Sequence, residues 1–296
     1  MNTKTFMLLI AAMLPLAAHA DRDVDRTLPS SGVKEVRISN TSGSVEVTGA
    51  DGDEIRVTGR IEEDVEELVI EKDGTVLAIE VKIDASRHGR TRASAELRVG
   101  MPADLALTVI GTSADIEVDG IRGEQRLKSV SGDVRTEIWS QPLDAETVSG
   151  DLRVKGHGET SRLRLAAVSG DVDAEAVAGE LEAKSVSGDL VIEADGLDRG
   201  RFESTSGDVI AEIALERGGR IEAESVSGDV ELTLGGDVDA EIDVSSFSGR
   251  IDNCFGPKPE RKSRYAPGSE LRFTHGEGRG DIRVKTLSGD VELCNR

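Results

Sequence analysis

The chain has 296 residues, 57 acidic against 36 basic side chains, a formal net charge of −21, and only 2% aromatic residues. A surface this acidic repels phosphate backbones and anionic lipid, which excludes general nucleic-acid binding. Aromatics this sparse exclude a thick globular core or a broad sugar-stacking platform and suit a narrow interior.

Residues 1–20, MNTKTFMLLIAAMLPLAAHA, place Lys4 before an apolar run that ends at Ala18-His19-Ala20. This three-part pattern predicts a secretory signal peptide cut before Asp21, and the apolar run is too short to span a membrane. No later stretch is apolar for spanning length. The mature chain, at −22 once Lys4 is gone, is expected in the periplasm or outside the cell, without a transmembrane segment.

Residues 21–110 read as an N-terminal β region or cap. It comprises VKEVRIS, SVEVTG and EIRVTGRI, then ELVIEKDGTVLAIEVKI with a hairpin signal at Asp73-Gly74. A polar loop carrying Arg87, His88, Arg90 and Arg92 leads to AELRVGMPADLALTVIG.

Residues 111–296 repeat. Ser-Gly, followed mostly by Asp, recurs at Gly132, Gly150, Gly170, Gly188, Gly207, Gly228, Gly249 and Gly289, with steps of 18 to 21 residues and a last step of 40. Ala114 stands one step before Gly132, and Gly43 is a more distant relative. The second residue after each glycine is apolar, from Val134 and Leu152 to Ile251 and Val291, while the third and fifth are mostly charged. Before each glycine the seventh and fifth residues are mostly apolar and the third is small. Such period-two alternation at a fixed spacing predicts an all-β, parallel β-solenoid with about 20 residues per coil and coils about 4.8 Å apart. The second residue before the glycine is again apolar in most repeats, as in Val130 or Phe247. That is read as a bulge or corner, with the glycine at positive φ.

The run ELRVGMPADLALTVIGTSADIEVDGIRGEQRLKSVSGDV, the iterated SVSGDV units and the closing KTLSGDVEL resemble the bacterial "putative adhesin" domain-of-unknown-function family, over roughly residues 33–296. The resemblance implies a secreted or envelope-attached β-solenoid and supplies no catalytic residues.

Four sets of residues are candidates for function. The first is the column Asp133, Asp151, Asp171, Asp189, Asp208, Asp229 and Asp290, directly after the glycines. These carboxylates cap amides of their own turns, as Asp does in turns; the rival reading is divalent-cation binding between coils. The second is Cys254 and Cys294, each five residues after its glycine. If the 40-residue step is one coil with an insertion, they face each other across adjacent coils as a disulfide. The third is that insertion, residues 255–280, where Phe255, Lys258, Arg261, Lys262, Arg264, Tyr265, Arg272 and Phe273 stand out on an acidic molecule. Either its aromatics cap the solenoid end while its basic groups pair with acids, or it is a recognition loop for an anionic or glycan partner. The fourth set, His88, His157 and His275, has no metal-ligand spacing.

No catalytic or metal site is assigned, and no cofactor is implied. The expected role is a non-enzymatic, adhesin-like or cell-envelope interaction protein with an envelope or surface partner. The alternative is a carbohydrate-active lyase or hydrolase of similar shape.

Overall fold

The computed structural model describes residues 21–62, 65–83, 94–261 and 268–296. The signal-peptide reading of residues 1–20, the loop at Arg87, His88, Arg90 and Arg92, and Lys262, Arg264 and Tyr265 lie outside the described residues. Among the described residues every regular element is a β-strand. None forms a helix long and apolar enough to cross a membrane.

Alternation dictates the architecture. Each repeat contributes one strand before its glycine and one after it, and both pair in parallel with the equivalent strands of the next repeat, giving a solenoid-like stack of rungs. Leu97, Val45, Ile116, Val134, Leu152, Val172, Leu190, Val209, Val230, Val291 and Ile251 are register partners in that order. None of them is more than 5% exposed. On the opposite strand Leu127, Ala145, Leu165, Ala183, Phe202 and Ala223 form a second inward column, large and small side chains in turn. That alternation lets flat layers interdigitate at interior density. Phe202 is the largest fully buried side chain. It fits because Gly200 has no side chain: a Cβ there would lie 2.9 Å from the Phe202 ring.

The repeat glycines answer a different need from the one expected. None has positive φ. Instead, a Cβ on any of the eight would sit 1.9–2.3 Å from the carbonyl oxygen of the preceding rung's corner residue. Close approach of backbone to backbone, and not a left-handed conformation, selects glycine here. Ala114 stands at the one corner in this series whose neighbour on that side is Gly43, which does have positive φ (110°).

Rung order departs from chain order at both ends. The strand Glu35–Ala50 lies between Val76–Ile83 with Ala95–Pro102 on one side and Ala106–Asp119 on the other. One parallel sheet therefore runs through residue 110, so the expected boundary between cap and solenoid falls inside a strand. At the other end Gly280–Ser288 and Val291–Asn295 stack directly on the Gly228 rung, and the Gly249 rung lies outside them. Chain order would have put Asp243 beside Glu222; the observed order sets Arg283 between them.

Both ends are closed by antiparallel strands. Val65–Asp73 turns back on Val76–Ile83 as the expected hairpin, and Glu54–Ile61 covers Ala95–Pro102 with Arg22–Pro29 beyond it. Ser269–His275 covers the outer edge of Ala240–Ser246. The parallel edges of Val76–Ile83, Ala95–Pro102 and Ala240–Ser246, which would invite pairing with other chains, are thus occupied.

Gly188→Ala places a methyl carbon about 2.1 Å from the Gly170 oxygen and should cost about 1–3 kcal/mol or more, as overpacking does. Chemical denaturation checks it. A variant as stable as the parent would mean that the rungs part freely at this corner.

Candidate functional site: the corner ladder and the outward columns

At each Ser-Gly-Asp corner the rungs are laced together by backbone and short side chains. The aspartate Oδ1 accepts the N–H of the residue at the same position one rung on: Asp133 to Asp151, Asp151 to Asp171, and so on through Asp290 to Arg250, at 2.7–3.1 Å. Asp115 begins the ladder by accepting from Asp133. The carboxylates therefore cap the neighbouring turn, which corrects the reading that each caps its own. Carboxylates accepting amide hydrogen bonds offset the repulsion of stacking them. At the last step Arg250 donates to Asp290 from both backbone and guanidinium, and these bonds hold the Asp290 carboxyl below its usual range. Three residues before the glycine, the hydroxyls of Ser129, Thr147, Ser185, Ser225, Thr286 and Ser246 donate to the preceding corner's carbonyl at 2.9–3.4 Å. Among the described residues no cluster of three or more His, Cys, Asp or Glu is placed to hold a metal ion.

Cys254 and Cys294 are joined, Cα to Cα 4.8 Å, across adjacent rungs. The insertion they bracket is anchored at its return by Asp239. Its Oδ1 accepts the amides of Glu277 and Gly278 at 2.7 Å and of Arg279 at 3.3 Å, and its Oδ2 pairs with the Arg279 guanidinium. Burial pushes the Asp239 carboxyl up, but the Arg279 side chain and these amides outweigh it and hold it below the usual aspartate range. Phe255 and Phe273 pack on the core with ring centroids 5.9 Å apart, and His275 meets Phe255 edge-on at 5.1 Å. Arg272 pairs with Asp243 at 3.1 Å, while Lys258 and Arg261 are exposed. The described part of the insertion is thus an end cap, with Arg272 and Arg279 paired to aspartates. His157 stacks on the lone tryptophan, Trp139, at 4.4 Å, and the Arg122 guanidinium lies 5.9 Å from the same ring.

The residues that sequence reasoning misplaced lie two positions before each glycine. Strand parity does not break there. The small residue at the third position points inward and is buried, so Val130, Val148, Val168, Val186, Thr205, Val226, Leu287 and Phe247 point outward. All but Thr205 are large apolar side chains, 43–55% exposed. Strict counting by twos from the inward Leu127 or Leu165 gives this result; apolar character had suggested a corner. Stacked one per rung, they form a column roughly 34 Å long at about 4.8 Å per step. Toward the Phe247 end it floors a groove of about 620 Å³ with Lys184, Glu203, Glu224 and Lys285 along one wall.

The same face carries two further outward columns. Six positions before the glycine, in spatial order, stand Arg126, Asp144, Arg164, Glu182, Arg201, Glu222, Arg283 and Asp243, which alternate in sign at every rung. Four positions before it are three lysines and three glutamates, including the pairs Lys128–Glu146 at 2.9 Å and Lys285–Glu224 at 2.7 Å. This face is neutral. After the glycines, the three outward columns of the same eight repeats hold fifteen acids against four basic residues. The negative charge is concentrated on one side of the molecule, and the apolar column borders the other.

A family model described as Toastrack DUF4097 matches residues 23–201 and 197–294. The chain belongs to the Toastrack DUF4097 family. The adhesin-like domain-of-unknown-function resemblance read from the repeats agrees with this membership. No curated protein matches. Among solved structures, a "putative adhesin" from Parabacteroides distasonis ATCC 8503 is 11% identical over 92% of this chain and 97% of its own, with a TM-score of 0.37. A "putative cell adhesion protein" from Clostridium sporogenes ATCC 15579 is 6% identical over 94% and 100%, with a TM-score of 0.30. A "putative lipid binding protein" from Parabacteroides distasonis ATCC 8503 is 14% identical over 93% and 96%, with a TM-score of 0.28. At TM-scores this low the likeness carries no functional weight.

Two predictions come from these contacts. The disulfide closes a span of 40 residues, so replacing both cysteines by alanine should lower stability by about 4 kcal/mol in the chain-entropy treatment. Limited trypsin digestion of the reduced protein should then cut first at Lys258 or Arg261; first cuts in the Gly150–Gly188 rungs would contradict this. Asp239, depressed in the folded state, contributes stability that is present above its unfolded pKa and lost as pH falls through the folded value. Asp239→Asn should therefore melt earlier than the parent at pH 7, and the gap should close as the pH falls through the depressed folded pKa of Asp239. A gap independent of pH would assign the effect to packing alone.

Proposed function

We propose that the chain is an exported, non-enzymatic β-solenoid of about 20 residues per coil that serves as an interaction protein of the cell envelope, adhesin-like in that an outer face does the work. The apolar column on a charge-balanced face carries this reading. Contiguous exposed apolar surface rimmed by polar groups marks association sites, and here it is maintained through seven of eight repeats at a position where the solenoid's interior does not need it. The disulfide fits an oxidising compartment, and the pattern of residues 1–20 fits export. The aspartates after the glycines are tied into the amide ladder, which supports a structural role for that column in place of acid–base work.

The experiment is fractionation of cells making the parent and a Val186→Lys/Phe247→Lys variant. Both side chains are already half exposed, so the variant should melt within about 1 °C of the parent, as surface changes do. The parent should be recovered beyond the inner membrane, without residues 1–20 and bound to the envelope fraction, and the variant should be released from it. Equal retention of both proteins would remove the column from the function; recovery of the parent from the cytoplasm would remove export.

A further inference from the structure

We infer that the neutral face is an interface with a second copy of this chain, the two solenoids antiparallel and related by a two-fold axis running along the strand direction. This deepens the proposed function and rests on its reading of the apolar column as an association surface.

The neutral face is complementary to itself. A two-fold axis along the strands lays each outward column on the same column of the partner, with rung order reversed. Among the eight rungs from Gly132 to Gly249, the first then faces the eighth, the second the seventh, the third the sixth and the fourth the fifth. In the column six positions before the glycine, the strict alternation of sign over an even number of rungs makes every such pair opposite: Arg164 meets Glu222 and Arg201 meets Glu182. In the column four positions before it, Lys184 meets Glu203 and Glu146 meets Lys285, with no like pair anywhere. In the apolar column Val168 meets Val226 and Val148 meets Leu287.

The other two-fold arrangement, with the axis along the solenoid, sets each rung on itself. Lys128 would then meet Lys128 and Glu203 would meet Glu203, while the apolar column would face charges. The charges thus discriminate between the two packings. The apolar column supplies the attraction, and exposed ion pairs, weak individually, fix orientation and register. Sheets that pack face to face stand about 10 Å apart, so in this dimer the two acidic faces point away from each other, separated by several Debye lengths at physiological salt. Their net charge, which would oppose any other mutual approach, interferes least here. The match depends on the exchanged order of the last two rungs. Arg283 between Glu222 and Asp243 is what keeps the alternation unbroken.

The test is the mass of the full chain in solution, by sedimentation or light scattering, with its disulfide intact. The parent should be dimeric at about 100 μM, which asks only for a micromolar dissociation constant. Val168→Asp, at a 43% exposed position, should melt like the parent and be monomeric. Arg164→Glu should weaken the dimer about tenfold or more, and Arg164→Glu/Glu222→Arg should recover it to within about threefold. Within one chain the double variant sets the acid introduced at position 164 beside Asp144 and Glu182, and the base introduced at position 222 beside Arg201 and Arg283. Like charges then adjoin, so recovery can arise only across the interface. A monomeric parent, a dimer indifferent to Val168→Asp, or a double variant no tighter than Arg164→Glu would each overturn the proposal. A monomeric parent whose column variants still leave the envelope would do so while sparing the proposed function, and would assign the column to another partner.

Discussion

The structure rests on how near one corner can come to the next. At the Ser-Gly-Asp turn the glycine Cα faces the carbonyl oxygen of the preceding corner so closely that no Cβ fits between them. Around this contact the inter-rung bonds converge: the glycine N–H to the serine carbonyl of the next rung, the valine N–H to the next aspartate carbonyl, and the aspartate carboxylate to the next aspartate amide. A wider corner would lengthen all of them together. Repeat proteins distribute stability over nearest-neighbour interfaces, and here each interface is pinned at the same point. That is why the motif persists where neighbouring positions drift between Val, Leu, Ile and Ala.

Given that pinning, surface chemistry separates by side of the corner. The strand before the glycine keeps signs balanced from rung to rung, so that Lys184 bridges to Glu203 and Arg201 to Glu222. The strand after it carries mostly acids, tolerable because the carboxylates next to the glycines are held by amides and because the remainder face water. Exposed cross-rung pairs contribute little stability each. Their regular pattern therefore says more about what may approach that face than about what holds the rungs together.

Much of this was legible in the sequence. The period, the inward columns such as Val134–Leu152–Val172–Leu190, the hairpin at Asp73-Gly74 and the disulfide partners all follow from counting, because a solenoid translates sequence offset directly into position. Besides the conformation of the repeat glycines, three features escaped. The target of each aspartate depends on where the next rung's amide lies, a contact 18 to 21 residues away along most of the ladder that turn propensities do not address. Val130 and its equivalents resemble corner residues by hydrophobicity, and an outward apolar residue has no signature except the phase of its neighbours. The order of the terminal rungs was hidden because Glu54–Ile61 at one end and Ser269–His275 at the other reverse direction, and an offset of 40 residues is compatible with docking on either side of the preceding rung.

The exchanged order at the two ends changes what happens as the chain emerges, amino terminus first. Glu35–Ala50 must wait for residues 76–119 before either of its edges is satisfied, and Ala240–Asn253 must wait for Gly280–Asn295. A nascent chain cannot therefore crystallise rung by rung from one end to the other. Its amino-terminal end closes once residue 119 has emerged, the middle rungs then add in order, and the carboxy-terminal end is sealed last, with Gly280–Asn295 acting as a keystone. Loss of that segment would take out an inner course, and the Gly249 rung with its covering strand would be left without the layer on which it is laid.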